Sequence, residues 1–472
     1  MAFTQGEAML LKPIEIQIDP CNPFLKDSFE RKAVVESMVR LIEHLNGPFV
    51  IAIDSPWGTG KTTFLKMLRA QLEREKFACL HFNAWETDFA EDPLIAFMGE
   101  MDQLIKSISP NEATRQESLD AAKRIAGTVA KRAIPAAIKV VTMGALDLTQ
   151  EFERAIAEAT GSLSIDAVEH YLKEKELIEE FHNQINLVLA IAKDHGKNLP
   201  VVIFVDELDR CRPTYAIKLL ERIKHLFNVE NAIFILALDK IQLSISIGAV
   251  YGNEFDSREY LRRFFDLDLK LATVENEKYC DSLIERMNLD ELFSLRISQS
   301  GSEEVAELKK TFRVMSKLFG FTPRTQEHYM SLLTIAMLAT ADTQELHPIE
   351  LAIMAAIKLG AEEIYDNVAI KKKSVVEISN FLKDRFIPIF GEQYWAVIYG
   401  HILNMRMKND KAANDIIKGI FDEFRHASDF SQKHANNGTI LDIANSNRRL
   451  AKLLEIIVKR IDIAAQFSTV EF

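Results

Sequence analysis

Cysteine is scarce in this chain. Cys21, Cys79, Cys211 and Cys280 are the whole complement. They stand far apart, and none forms a CxxC pair or has a histidine at metal-ligand spacing. That excludes a disulfide framework and a zinc site of ordinary spacing, and suits free, mostly buried thiols in a reducing cytosol. HExxH and EF-hand spacings are also missing, so a metal is expected to arrive with a ligand rather than in a protein cage. Positive charge is in deficit, with 57 Lys plus Arg against 69 Asp plus Glu and a net charge of −12. This balance argues against a dominant nonspecific DNA-binding surface while leaving room for a local basic groove. The start, MAFTQGEAMLLKPIEIQID, lacks the charged leader, apolar run and small-residue cleavage site of a secretory signal. The expectation is a cytoplasmic protein.

A long apolar run is lacking too. The best candidate, AIPAAIKVVTMGAL at 133–146, is interrupted by Pro135 and Lys139 and falls short of the roughly 20 residues that span a bilayer. It reads as a buried or amphipathic helix, with contact to a membrane surface or partner as the alternative. What is present is ordinary for folded protein: 48% hydrophobic and 27% charged residues in a chain of 472, room for two or three domains.

Four apolar runs have strand length and β-branched or aromatic content: FVIAI at 49–53, ACLHF at 78–82, VVIFV at 201–205 and AIFILAL at 232–238. They are continuous rather than alternating, which predicts strands covered on both faces in a parallel sheet. Between them run helical patterns. One begins at Pro213, a favoured first helical residue, and carries the stripe Ile217, Leu220, Ile223 and Phe227. The order implies right-handed βαβ units. The stretch between the second and third strands is too long for a crossover and predicts a helical insertion. From Thr322 strand signals stop, and segments such as HPIELAIMAAIKLG, punctuated by Pro348 and Gly360, predict an all-helical C-terminal region.

The chemistry centres on DSPWGTGKTTF at 54–64, between the first predicted strand and a helix. Gly58 and Gly60 let backbone amides converge on an anion, and the helix N-terminus adds a favourable dipole. Lys61 would reach the β- and γ-phosphates, the Thr62 hydroxyl would bind Mg²⁺, and Thr63 could help hold the α-phosphate. The phosphate contacts expected of Ser55, Trp57, Gly58, Thr59, Gly60, Lys61, Thr62 and Thr63 face one irregularity: Ser55 stands where the pattern G-x-x-x-x-G-K-[ST] wants glycine. A second, independent signal is VVIFVDELDR, a buried strand ending in acid. Asp206 is placed for the Mg²⁺ shell and Glu207 to polarise a water; capping of the next helix is the bland alternative for this acidic end, Asp209 included. Asp239, at the end of AIFILAL, would sense the γ-phosphate through the attacking water or Lys61, or simply cap a helix. For charge developing in a transition state the candidates are Arg210, Arg262, Arg263 and Arg324, with Arg324 preferred.

These blocks together resemble the KAP family of P-loop NTPases. NPFLKDSFERKAVVESMVRLI is similar to the family's opening helix, SPWGTGKTTFLKML to its aromatic-bearing phosphate loop, FNAWETD to its asparagine–tryptophan strand end and VDELDRCRP to its acidic block; FILALDK, YLRRFFDLDL and FTPRTQEHY follow in order. The resemblance implies an α/β fold with the parallel sheet of the additional-strand, AAA-like class of P-loop NTPases. It implies 1–90 and 196–321 as two parts of the core, 91–195 as a helical insertion, and 322–472 as helical lid and C-terminal domain. It also implies ATP and Mg²⁺ as ligands, and bacterial members act in defence against phages. Many members carry transmembrane helices between the two nucleotide motifs, which this insertion does not match. The resulting expectation is a Mg²⁺-dependent ATPase acting as a switch, with Glu207, Lys61, Arg324 and Arg263 in the chemistry, and homo-oligomers or partner proteins engaged through the helical regions. The competing expectations are a nucleotide-binding scaffold with little hydrolysis and a DNA-associated ATPase.

Overall fold

The computed structural model describes residues 16–90, 93–109, 165–226, 229–252, 254–271, 277–289, 292, 302–340, 345–426, 432–446 and 452–467. The chain divides into two compact units, one spanning Gln17–Ala272 and one made by the rest.

The first unit is built on strands β1 (Phe49–Asp54), β2 (Phe77–Asn83), β3 (Asn198–Asp206), β4 (Ala232–Leu238) and β5 (Leu267–Lys270). They form one sheet in the order β2-β3-β4-β1-β5, and every pairing is parallel. The four expected strands are all present. β5 was not expected, because LDLK is short, alternates polar and apolar, and is mostly exposed at the sheet edge, so it lacks the continuous apolar run that marks the others. β4 lies between β1 and β3, the additional-strand arrangement, and all seven of its residues are buried.

Alternate residues of each strand serve opposite cores. Val202 and Phe204 of β3 join Ile51, Ile53, Ile233 and Ile235 against helices α1 (Lys32–Glu43) and α2 (Lys61–Arg74) through Val35, Val39, Phe64 and Leu68. Val201, Ile203 and Val205 face α3 (Pro93–Ile108), α4 (Ile165–Asp194), α5 (Pro213–Leu226) and α6 (Lys240–Tyr251), where Phe97, Phe181, Leu220 and Ile247 fill the space. The described ends of the expected insertion are therefore part of the sheet's own covering layer. The segment 133–146 lies outside the described residues. Short helix α7 (Ser257–Arg262) leads to β5.

The second unit contains α8 (Glu277–Arg286), α9 (Ser302–Leu318), α10 (Pro323–Leu338), α11 (Pro348–Gly360), α12 (Glu362–Ala369), α13 (Val376–Phe390), α14 (Glu392–Asn404), α15 (Lys411–His426), α16 (Gln432–Asn445) and α17 (Leu453–Gln466). The domain boundary expected at Thr322 falls inside this unit, between α9 and α10. α11 is its centre: Pro348 through Ile357 are all buried, as expected of a helix apolar on every side. A Cβ on Gly360 would run into the Phe319 ring, so only glycine closes this helix without displacing Phe319. Among the described residues no helix is long and apolar enough to cross a membrane.

Candidate functional site

Parallel strands end at one edge, and here Asp54, Asn83, Asp206 and Asp239 all arrive there. From β1 the chain runs to β2 on one side, returns through β3 and β4, then crosses to β5 on the other. The carboxyl ends of β1 and β4 thus meet where the direction of winding changes, the place where open α/β sheets bind ligands.

The loop from β1 to α2 is tightly tied. Gly58 and Gly60 take φ of +74° and +81°, a region that side chains disfavour. Ser55 does not: it has no positive φ, so the missing glycine was not required by the backbone. Its hydroxyl instead lies 2.6 Å from Thr59 Oγ1, while Thr59 Oγ1 donates to Pro56 O at 2.7 Å. With the Thr59 proton committed, Ser55 donates, and the two hydroxyls bridge the loop from within; both residues are buried. Ser55 N donates to Leu238 O, fixing the loop to β4. From behind, Arg31 donates to Thr59 O at 2.7 Å and Gly60 O at 3.0 Å.

Lys61 Nζ donates to Ser55 O at 2.6 Å and Pro56 O at 3.2 Å and stands 3.9 Å from Asp209 Oδ2. The Thr62 hydroxyl lies beside the carboxylate of Asp206 and helps hold its pKa down. The loop and the end of β3 thus meet. Glu207 has a left-handed backbone, φ +60°, which bends the chain sharply off the strand. Leu208 is thrown into the core, while Asp206 and Asp209 both turn toward the loop. Glu207 itself pairs with Arg210 at 2.9 Å, while the Asn83 amide donates to Glu86 at 2.9 Å. Arg210 also lies over the Trp85 ring, 5.7 Å from its centroid.

Asp209 departs most from the sequence reading. It does not cap the helix after Pro213. Its Oδ2 accepts from Trp57 Nε1 at 2.5 Å and from Asp239 N at 2.9 Å. Asp239 is a helix cap: its carboxylate accepts from Ile241 N and Gln242 N at the start of α6. Arg263 is exposed at the end of α7 and takes no part in the network around Lys61, and Arg324 is exposed in the first turn of α10. Sequence reasoning missed the places of Arg31 and Asp209 in this network. Only Asp209 carried a local signal, its place in the acidic strand end.

Burial dominates the electrostatics. It pushes the Asp206, Glu207 and Asp209 carboxyls above their usual range, only partly offset by Thr62, Arg210 and Lys61 respectively, and it lowers Lys61. Buried acids beside a buried ammonium form a cluster that an incoming dication and polyanion would neutralise in both directions. The donor set fits Mg²⁺ on this ground: Thr62 and Asp206 present hard oxygen ligands, and a dication there would relieve the burial of Asp206.

An uncharacterised protein of Methanocaldococcus jannaschii is 29% identical over 177 residues, covering 34% of this chain and 89% of the relative. The Aeropyrum pernix ORC2 protein, solved in ADPNP and ADP complexes, aligns over 93% of this chain and 96% of its own at 10% identity and a TM-score of 0.36. A DNA replication initiation factor aligns over 88% and 92% at 12% identity and 0.25. Structural scores this low support no argument about function. The KAP family P-loop domain matches residues 31–338, a span that runs from Arg31 behind the loop through both motifs and all five strands; the chain belongs to the KAP family.

Proposed function

We propose that the chain binds ATP with Mg²⁺ and hydrolyses it as a molecular switch, within an oligomer or with partner proteins. The observation that carries this reading is the placement of the Thr62 hydroxyl beside the Asp206 carboxylate, whose pKa it helps hold down. It brings together the two side chains that would share one magnesium ion, from motifs 144 positions apart. The amides and side chains of the loop from Ser55 to Thr63 hold the phosphates, and Lys61 exchanges the carbonyls of Ser55 and Pro56 for phosphate oxygen. Thr62 and Asp206 hold Mg²⁺, which when bound neutralises charge on the phosphate oxygens. Glu207 orients the attacking water once released from Arg210. An arginine is required to meet the γ-phosphate charge, and the Asp239 amide holds Asp209 beside Lys61. The preference for phage defence rests on the family alone.

Phosphate release is the test. Lys61→Ala should abolish binding of Mg²⁺·ATP, and Glu207→Gln should keep binding while losing turnover about 100-fold or more. Wild-type protein that binds no nucleotide ends the proposal. One observation favours a second reading, a nucleotide-holding scaffold: the Glu207 carboxylate is already engaged by Arg210. Wild-type protein that binds ATP without releasing phosphate, alone or with candidate partners, would establish that alternative.

A further inference from the structure

Arg31 stands outside both nucleotide motifs, at the start of α1, yet its guanidinium is among the most buried charges in the sheet unit, 4% exposed. Its two terminal nitrogens reach the carbonyl oxygens of two successive loop residues, Nη2 to Thr59 O at 2.7 Å and Nη1 to Gly60 O at 3.0 Å. The Phe29 ring covers the guanidinium at 4.9 Å. The same ring would lie 3.2 Å from a Cβ on Gly60, with Arg31 Nη1 at 3.4 Å. The underside of the loop is therefore filled by these two side chains.

We infer that Arg31 is a positioning residue for the phosphates held by the loop, setting the direction of the Gly60 and Lys61 amides from behind; this rests on the reading of the loop as a nucleoside triphosphate site. In a trans peptide the carbonyl of one residue and the N–H of the next point in opposite directions. Holding the carbonyls of Thr59 and Gly60 toward Arg31 turns the N–H groups of Gly60 and Lys61 away from it, to the face where an anion is cradled. The guanidinium also places a permanent charge behind that cradle without touching the ligand. Anchoring α1 to α2 does not account for a charge here. Val35, Val39, Phe64 and Leu68 already join those helices in one core, and an apolar side chain would serve there without the desolvation of a buried cation.

The experiment compares wild type, Arg31→Lys, Arg31→Gln and Lys61→Ala. It measures the affinity of each for a fluorescent ATP analogue with Mg²⁺ and for inorganic pyrophosphate by competition, with circular dichroism to verify folding. Arg31→Gln, which loses the charge and the fork, should weaken both ligands by about tenfold or more, the scale of a charge-assisted hydrogen-bond pair. Arg31→Lys keeps the charge and one donor and should recover part of that loss. The pyrophosphate and ATP affinities should shift by the same factor, because only the phosphate cradle is disturbed. A purely structural role would lower the urea midpoint and leave both affinities of the folded protein within about threefold of wild type, and that result overturns the inference. If Arg31→Gln does not fold, Arg31→Met, which also loses the charge and the fork, takes its place: affinity within about threefold overturns the inference, and an equal loss for both ligands supports it. Wild type that binds neither ligand refutes the nucleotide reading itself. Arg31 variants that match wild type while Lys61→Ala loses binding refute only the role of Arg31.

Discussion

The indole N–H of Trp57 donates to Asp209 Oδ2 at 2.5 Å across 152 positions of sequence. It ties the phosphate loop to the acidic block through the aromatic residue of the loop. The same oxygen accepts from Asp239 N and faces Lys61 Nζ, so one buried carboxylate links the ends of β1, β3 and β4.

Removing that carboxylate should be costly, and replacing it with an amide much less so. Asp209→Ala strands the indole N–H and the Asp239 amide, takes the counter-charge from Lys61, and should cost about 3 kcal/mol of stability or more. Asp209→Asn keeps an acceptor for both N–H groups and should recover at least half of that loss. Urea unfolding of the two variants checks the order; equal losses would show that the charge, not the hydrogen bonds, holds the three strand ends.

Ser55 closes the loop with its hydroxyl, so restoring the expected glycine should not help. Ser55→Gly and Ser55→Ala each remove the donor to Thr59 and should destabilise the protein by about 1–2 kcal/mol. ATP affinity should stay within about threefold or fall. Isothermal titration of Ser55→Gly settles the matter, and a marked gain in affinity would show that the native loop is impaired.

Gly60 combines φ of +81° with the Phe29 ring and Arg31 beneath it. Gly60→Ala should therefore add a left-handed penalty of about 1–2 kcal/mol and displace the Arg31 fork. Nucleotide affinity should drop together with stability. Gly419, with open space around its Cβ position, is the control: Gly419→Ala in the interior of α15 should be neutral or stabilise by up to about 1 kcal/mol.

In the helical unit, Glu350 is 3% exposed and accepts from His401 Nδ1 and Asn404 Nδ2, each at 2.9 Å. Burial by itself would raise its pKa, but the hydrogen bonds and charge of His401 and the bond from Asn404 outweigh it and hold the carboxyl below its usual 4.5. A depressed carboxyl contributes stability that is present above the unfolded value and lost as pH falls through the folded one. Wild-type stability should therefore decline below about pH 4.5, and Glu350→Gln should flatten that decline. Urea midpoints measured from pH 3 to 7 test it; parallel acid limbs for the two proteins would assign the decline to other groups.

Much of this architecture was legible. β1 to β4 announce themselves as continuous apolar runs because a doubly covered strand has no polar face to show. Pro213, Pro348 and Gly360 mark helix ends through fixed φ, a missing N–H or a missing Cβ. Lys61, Thr62 and Asp206 were assigned from motif context and meet in space. β5 was missed because an exposed edge strand needs little apolar content. Asp239 had two readings, and its carboxylate is the cap of α6.

By itself, then, the sequence determined the parallel sheet and the two halves of the nucleotide motif, since periodicity and loop chemistry are local properties of the chain. Only the tertiary structure decided what completes the site: the Ser55–Thr59 bridge, the Arg31 fork and the Asp209 junction. The fork and the junction join residues 28 or more positions apart, and no spacing rule reaches across such a gap. The bridge is local, but it depends on the φ of Ser55 and the burial of both hydroxyls, which packing sets and no one-dimensional pattern records.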